Sequence, residues 1–148
     1  MKRVTEMVGK IAAMRWEERI LLGRALCAVI SCRVALFVLP TSPIQRLATR
    51  PGSLSPSLAQ FSPDRLAWAV QAAARRVPGA TCLTQALALH RLLAKAGHRA
   101  EIHIGVAKGE RGSLDSHAWV VCHGSVLVGD GGDLERYEPI LSLRAEHP

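Results

Sequence analysis

The sequence predicts an α+β fold in which a helical N-terminal part packs beside a small antiparallel β-sheet. Two helix starts precede residue 97: Ser62-Pro63 has the residue types of an N-cap and a first helical position, and Thr81 opens a run with helical apolar spacing. From Ala100 onward, apolar residues alternate with polar ones, as they do in half-buried strands. The 148 residues suit one domain with a real core.

The N-terminal third contains an apolar run from Ile20 to Leu39, in which Arg24 and Arg33 are the only charged residues. About 20 mostly apolar residues are enough to cross a membrane, but two arginines within the span are costly. We therefore expect first a packed helix or a partner-docking surface, next a peripheral membrane contact, and last a span. A signal peptide is disfavoured because no small-residue cleavage site follows the run.

Residues 40–62 are rich in proline, serine and threonine, which is typical of a wrapping connection. The sequence thus divides by role at residue 62. Residues 1–62 are expected to dock a partner or a precursor, and residues 63–148 are expected to form the catalytic core.

A cysteine stands at the start of the most regular helix in the sequence. Thr81 is its predicted N-cap, Cys82 lies in its first turn, and Gly97 stands where a left-handed C-cap is wanted. The helix dipole and the free N–H groups of the first turn favour a thiolate over a thiol, so Cys82 is the predicted nucleophile. The alternative is that Cys82 is a small buried hydrophobic residue, as most free cysteines are.

The segment from His117 to Asp130 predicts a β-hairpin with His123-Gly124 as its two-residue turn. In that register His117 lies directly across from Asp130, with their Cβ atoms about 5 Å apart. A carboxylate in this position orients a catalytic imidazole, whereas Asp133 projects to the wrong side. The predicted catalytic set is Cys82, His117 and Asp130. The alternative is that His117 and Asp130 form an ordinary surface pair.

The sequence supports a functional role less strongly for the other candidate residues. Trp119 shares the face of His117 and is a candidate substrate contact. His103 is a rival base on a neighbouring strand, while His90 and His98 are expected on a helix surface.

Composition excludes several classes of site. The four cysteines contain no Cys-x-x-Cys pair, so neither a zinc site nor a disulfide framework is expected, and we interpret them as reduced thiols in the cytoplasm. No phosphate-binding loop is present, and no metal or cofactor is predicted. The formal charge of +7 suggests an anionic partner. Nothing arranges these charges as a nucleic-acid module would, so an acidic peptide is favoured.

With these motifs the chain resembles the transglutaminase-like (papain-like) fold. More narrowly, it is similar to the leader peptidases of lasso-peptide biosynthesis, the stand-alone protease half of the so-called B protein. The matching positions are Cys82, Leu83, Ala86, Leu87, Leu92-Leu93, Gly97, Ile104-Gly105-Val106, His117-Ala118-Trp119-Val120, Gly124 and Tyr137-x-Pro139.

The resemblance implies a cysteine peptidase that removes the leader from a lasso precursor. It also implies two partners: a small leader-recognition protein and a macrocyclase that uses the new N-terminus. Enzymes of this fold also cross-link or acylate, so an acyltransferase on the same triad is an alternative. A non-catalytic, membrane-associated adapter, in which Cys82 is core, is the other.

Overall fold

The computed structural model describes residues 5–6, 8–9, 12–39, 46 and 52–144. Most of residues 40–51, the first half of the connection predicted at 40–62, therefore lies outside the described residues. The helices are α1 (Trp16–Val38), α2 (Pro56–Ala59), α3 (Pro63–Ala74) and α4 (Cys82–Ala96). The strands are β1 (Ala100–Lys108), β2 (Leu114–Cys122), β3 (Ser125–Val128) and β4 (Glu138–Arg144). Single 3₁₀ turns at Glu110–Gly112 and Leu134–Arg136 precede β2 and β4. The predicted α+β class is confirmed.

Helix α1 packs against α3 and α4 along one stripe. Leu21, Ala25, Val29 and Cys32 recur every three or four residues, so they lie on one helix face, and each is completely buried. They belong to the same core cluster as the buried residues of α3 and α4. By length and composition α1 is the one described helix that could cross a membrane, and 22% of its apolar stretch is buried within the protein. The division of roles at residue 62 stays a prediction.

Both predicted helix starts are capped as expected. The Ser62 hydroxyl accepts a hydrogen bond from the N–H of Arg65 at 3.3 Å, and Pro63 is the first helical residue of α3. At α4, Thr81 and Thr84 form a reciprocal capping box. Gly97 ends α4 in the left-handed conformation, with φ +85°.

The four strands form one antiparallel sheet in the order β3-β2-β1-β4. The tail after Gly132, for which the sequence did not distinguish helix from strand, supplies β4 and pairs with β1. One sheet face carries the buried side chains and packs with the helices in the core cluster. Its residues from the three consecutive strands are Ala100, Ile102, Ala118, Val120, Cys122 and Val128.

The hairpin of β2 and β3 has the predicted turn but not the predicted register. His123 and Gly124 both have positive φ, 50° and 80°, as a two-residue hairpin turn requires. A bulge between Val120 and Val121 shifts the pairing by one residue, and β3 ends at Val128. The predicted direct pairing of His117 with Asp130 is therefore wrong, because a bulge changes which residues face each other.

Candidate active site

Cys82 is the first residue of α4 and is partly buried. Thr81 Oγ1 accepts the N–H of Thr84, and Thr84 Oγ1 accepts the N–H of Thr81, both at 3.3 Å. The capping box leaves the intervening N–H groups of Cys82 and Leu83 without an acceptor among the described residues. These two donors, at the positive end of a fifteen-residue helix, favour negative charge at the Cys82 position.

His117 is held by one hydrogen bond and two aromatic rings. Its Nε2 lies 2.6 Å from the carbonyl oxygen of Gly129. A carbonyl only accepts hydrogen bonds, so Nε2 carries the proton and Nδ1 is the free basic nitrogen of the neutral ring. The Tyr137 ring packs on His117 at 5.1 Å and the Trp119 ring stacks at 6.3 Å. The imidazole is therefore oriented with a defined tautomer.

Gly129 reaches His117 because it has no side chain. Its φ is +90°, and a Cβ built on it would lie 2.6 Å from the Ala118 carbonyl oxygen and 2.8 Å from Trp119 Cβ. Only glycine fits this approach. The sequence pattern assigned no role to Gly129, and it gave Tyr137 only as a position shared with the family. The signal for Gly129 is a glycine at the end of a strand, just before an aspartate, because such a glycine marks a close backbone approach.

Asp130, the predicted orienting group, is exposed, and its Oδ1 accepts the N–H of Gly132 at 3.0 Å. It makes no hydrogen bond to His117; the backbone carbonyl of the preceding residue does. Asp133 pairs with Arg136 at 3.2 Å instead. The structure thus brings Asp130 next to the partner of His117 but leaves its catalytic role a prediction.

The fold brings Cys82 and His117 to the same end of the sheet. Nε2 of His90 lies 3.1 Å from the Ala100 carbonyl, and Ala100 pairs with Cys122. Cys82 precedes His90 by about 12 Å along the helix. His117 precedes Cys122 by about 16 Å along the strand. Cys82 and His117 therefore lie at comparable distances from the Ala100–Cys122 pair.

A cavity of about 450 Å³ lies at this end, between the start of α4 and the end of β3. Ala80 and Gln85, which flank Cys82, line it on one side, and Gly129 and Asp130 line it on the other. Cys82 and His117 are not hydrogen bonded to each other. Strand alternation also puts His117 on the sheet face opposite Ala118, whose side chain belongs to the core.

Trp119 is only 7% exposed, so its observed contacts are internal. It stacks on His103 at 5.7 Å as well as on His117, and its ring covers Gly105, where a Cβ would lie 2.9 Å from it. A substrate contact for Trp119 stays a prediction. His103, the rival base, bonds to Ser142 Oγ at 2.9 Å and, like His117, stacks on Trp119.

Burial changes the acidity of three other groups. It raises the pKa of Cys32, against the opposing effect of the Arg91 charge, and it raises the pKa of Cys122, whose thiol donates to the Arg99 carbonyl. Both thiols are therefore poor nucleophiles. Burial also lowers the pKa of His90. Because His90 is buried, the expectation that it lies on a helix surface is wrong. It points from α4 into the core, where Leu or Ala would be usual.

Comparison with known families identifies one family. The family model of the transglutaminase-like superfamily matches residues 26–142, which include Cys82, His117 and Asp130. No curated protein and no solved structure matches the chain significantly. A match over this share of the chain, on a helix-then-sheet fold with the cysteine at a helix start, leaves one assignment: the chain belongs to the transglutaminase-like superfamily.

Proposed function

We propose that this protein is a cysteine peptidase that removes the leader peptide from a lasso-peptide precursor. The observation that carries the proposal is the pair of prepared groups at one end of the sheet. Cys82 stands at a capped helix start with free N–H groups, and His117 has its Nε2 proton committed to Gly129 and its Nδ1 free. A nucleophile and an oriented base are the two groups that covalent acyl transfer needs.

In the proposed reaction the base is Nδ1 of His117. It takes the thiol proton of Cys82, and the thiolate sulfur attacks the scissile carbonyl carbon. The imidazolium then returns the proton to the leaving amine, which departs as the new N-terminus of the core peptide. Water hydrolyses the remaining thioester, with His117 again acting first as base and then as acid. While His117 is charged, its bond from Nε2 to the Gly129 carbonyl is charge-assisted and therefore stronger.

The negative oxygen of the tetrahedral intermediate needs donors. The backbone N–H of Cys82 is one, since it has no acceptor among the described residues. The side-chain amide of Gln85 is the proposed second donor. It lines the cavity one turn after Cys82, and no hydrogen bond engages that amide within the described part of the chain.

The contact between Cys82 and His117 is proposed to form when substrate fills this cavity. Catalytic hydrogen bonds are often long or misaligned before substrate binds and tighten in the complex. Asp130 is retained as the carboxylate that supports the imidazolium, one residue from the bonded carbonyl. The proposed partners are the acidic leader of the precursor, a leader-recognition protein and the macrocyclase. The resemblance of the Cys82 and His117 motifs to lasso leader peptidases supports these partners.

Hydrolysis of p-nitrophenyl acetate tests the nucleophile without knowledge of the precursor. We expect a burst of one p-nitrophenolate per protein, followed by slow turnover. Cys82→Ala abolishes the burst and Cys27→Ala leaves it unchanged. A full burst from folded Cys82→Ala would refute the assignment of the nucleophile.

Peptide cleavage is tested on a lasso precursor, sought among the genes that neighbour this protein's own, with the proposed recognition protein added. Mass spectrometry in ¹⁸O-water should find one ¹⁸O in the released leader carboxylate. An acyltransferase or cross-linking enzyme would instead join the leader to an added amine such as glycine methyl ester. A non-catalytic adapter would produce neither product.

A further inference from the structure

The outward face of α1 is a continuous apolar surface. Its exposed side chains follow the helical repeat over the whole length of the helix, and seven of them are large apolar residues: Trp16, Ile20, Leu26, Ile30, Val34, Phe37 and Val38. Phe37 is 80% exposed and Trp16 is 69% exposed, so the aromatic rings at the two ends are the least covered. Exposed apolar surface of this extent marks an interaction site.

This face can lie on a membrane but cannot cross one while the fold is intact. The opposite stripe of α1, from Leu21 to Cys32, is completely buried against α3 and α4. Crossing a bilayer would pull that stripe out of the core. Only the outer face is available, so a membrane would contact α1 from the side.

A cationic cavity of about 660 Å³ opens beside the outer face, between α1, α2 and the second half of α4. Arg24, Arg91 and Lys95 line it, together with Ser53 and Ser55, and none of the described residues that line it is Asp or Glu. Arg24 donates to Ser55 Oγ at 2.8 Å, and none of the three cations forms an ion pair among the described residues. Ile20 and Cys27 belong both to this cavity and to the exposed side of α1.

The net positive charge of the chain is concentrated in the sequence segment that contains α1. Residues 1–50 contain nine Lys or Arg and three Asp or Glu, which gives +6 of the total +7. The remaining 98 residues contain ten basic and nine acidic residues and are nearly neutral. A basic sequence segment that contains an apolar helix is the combination that anionic lipid surfaces attract.

We propose that the protein binds an anionic membrane surface through the outer face of α1, with a lipid phosphate held in the cavity of Arg24, Arg91 and Lys95. The apolar side chains enter the boundary between headgroups and acyl chains, and the cations and serine hydroxyls bind the phosphate oxygens. This site lies at the far end of α4 from Cys82, so it does not depend on the proposed peptidase activity.

The chemistry of the face favours lipid over a protein partner. A protein interface carries about one hydrogen bond per 100–200 Å². The serine on the exposed side of α1, Ser31, already donates to the Cys27 carbonyl at 2.7 Å, so the face offers few free polar groups to a protein. An acyl-chain boundary requires none.

Co-sedimentation with lipid vesicles tests the proposal. We expect binding to vesicles of phosphatidylcholine with phosphatidylglycerol at least tenfold stronger than to phosphatidylcholine alone, and weaker binding at high salt. Ile30→Glu and Val34→Glu should each reduce binding about tenfold. The matched control is Ile140→Glu, which changes an exposed isoleucine on β4 and should reduce binding less. Arg24→Gln with Lys95→Gln should cost about fivefold per charge, and Lys108→Gln with Arg111→Gln should cost much less. Equal binding to both vesicle types, or equal loss in the control variants, would overturn it.

Cys27 reports directly on the cavity because it lines it and is exposed. In a Cys82→Ala background we expect anionic vesicles to slow its labelling by a water-soluble maleimide at least fivefold. Neutral vesicles should not slow it. Inorganic phosphate tests the headgroup site alone. At high concentration it should slow the labelling of Cys27, but by less than anionic vesicles do. Protection by soluble polyglutamate without protection by anionic vesicles would assign the cavity to an acidic peptide and overturn the lipid proposal.

Discussion

At the residue scale, the orientation of His117 depends on a backbone group. The Gly129 carbonyl fixes one ring nitrogen, and the rings of Trp119 and Tyr137 limit rotation of the imidazole. Arg136 lies 5.5 Å over the Tyr137 ring and is itself paired with Asp133. The imidazole of His117 is therefore positioned by groups that the hairpin pattern alone does not reveal.

We expect Gly129→Ala to lower the cleavage rate at least a hundredfold, because a Cβ at this position collides with the Ala118 carbonyl and displaces the bond to His117. The strain should also cost about 1–3 kcal/mol of stability. The matched control is Gly124→Ala. It has a similar positive φ of +80°, but nothing lies within 4 Å of its added Cβ. Steady-state kinetics beside thermal unfolding separates the two effects, and equal rate losses in both variants would refute the positioning role.

The four cysteines give a clean comparison of reactivity with exposure. If exposure alone decided, iodoacetamide would modify Cys27 first, since it is exposed and Cys82 is only partly so. We expect Cys82 to react fastest, because the free N–H groups of the α4 start stabilise negative charge on its sulfur. Cys32 and Cys122 should react slowest, because burial raises the pKa of both. Peptide mapping after timed alkylation measures the order, and faster modification of Cys27 would count against an activated Cys82.

The structure changes what Asp130→Asn should do. An asparagine still accepts the Gly132 N–H, and the Gly129 carbonyl still bonds to His117, so we expect about a tenfold loss of cleavage from the missing charge. Asp133→Asn should stay near the wild-type rate. A loss of several orders of magnitude at Asp130 would mean that its carboxylate takes over the Nε2 bond in the working enzyme.

The site was predictable up to the bulge. The helix start around Cys82 and the turn at His123-Gly124 follow from local residue types, and both are confirmed. The facing of His117 and Asp130 depended on an unbroken register, and the extra residue in β3, Leu127, breaks it. Bulges leave little local signal, since they depend on how the whole strand twists against its neighbours.

At the scale of elements, α4 links the two halves of the fold. Its start presents Cys82, and its buried middle carries His90, whose Nε2 bonds to the Ala100 carbonyl at the start of β1. Nδ1 of His90 is buried and has no hydrogen-bond partner among the residues that the structure describes. An unpaired ring nitrogen in the core is costly, so a histidine is expected on the surface by its residue type. The helical spacing points the other way, because Leu87 and Leu93, three residues before and after His90, are both buried.

His90 should make stability depend on pH. Burial lowers its pKa below the ordinary 6.5, so the unfolded chain takes up a proton near pH 6.5 while the folded protein does not. Its full contribution is present above pH 6.5 and is lost as the pH falls below that value, by up to about 1.4 kcal/mol per pH unit.

Urea denaturation between pH 7.5 and 5 measures this effect. His90→Gln keeps a donor for the Ala100 carbonyl but cannot titrate, so its stability should fall less steeply over the range. The same slope in both proteins would mean that other groups cause the acid sensitivity.

At the scale of the molecule, α1 and the later elements share one core, although the sequence suggested a division of roles at residue 62. Leu21 and Val29 from α1 are buried in one cluster with Leu66 of α3 and Leu89 of α4. Composition predicted an apolar first helix, but it did not show that one stripe of it would complete this core. Nearly every position of the helix is apolar, so the pattern could not tell the inner face from the outer one.

A shared core predicts cooperative unfolding of α1 with the rest of the described fold. Leu21→Ala removes a completely buried side chain and should cost about 2–5 kcal/mol. Far-UV circular dichroism follows the helices, and Trp119 fluorescence follows the sheet once Trp16 and Trp68 are replaced by Phe. Both signals should show one coincident transition at a lower urea concentration. The control is Leu26→Ala on the outer face, which is 36% exposed and should cost less than about 1 kcal/mol. Two separate transitions, with only the helical signal shifted by Leu21→Ala, would show that α1 unfolds alone and that the division of the chain is structural as well as functional.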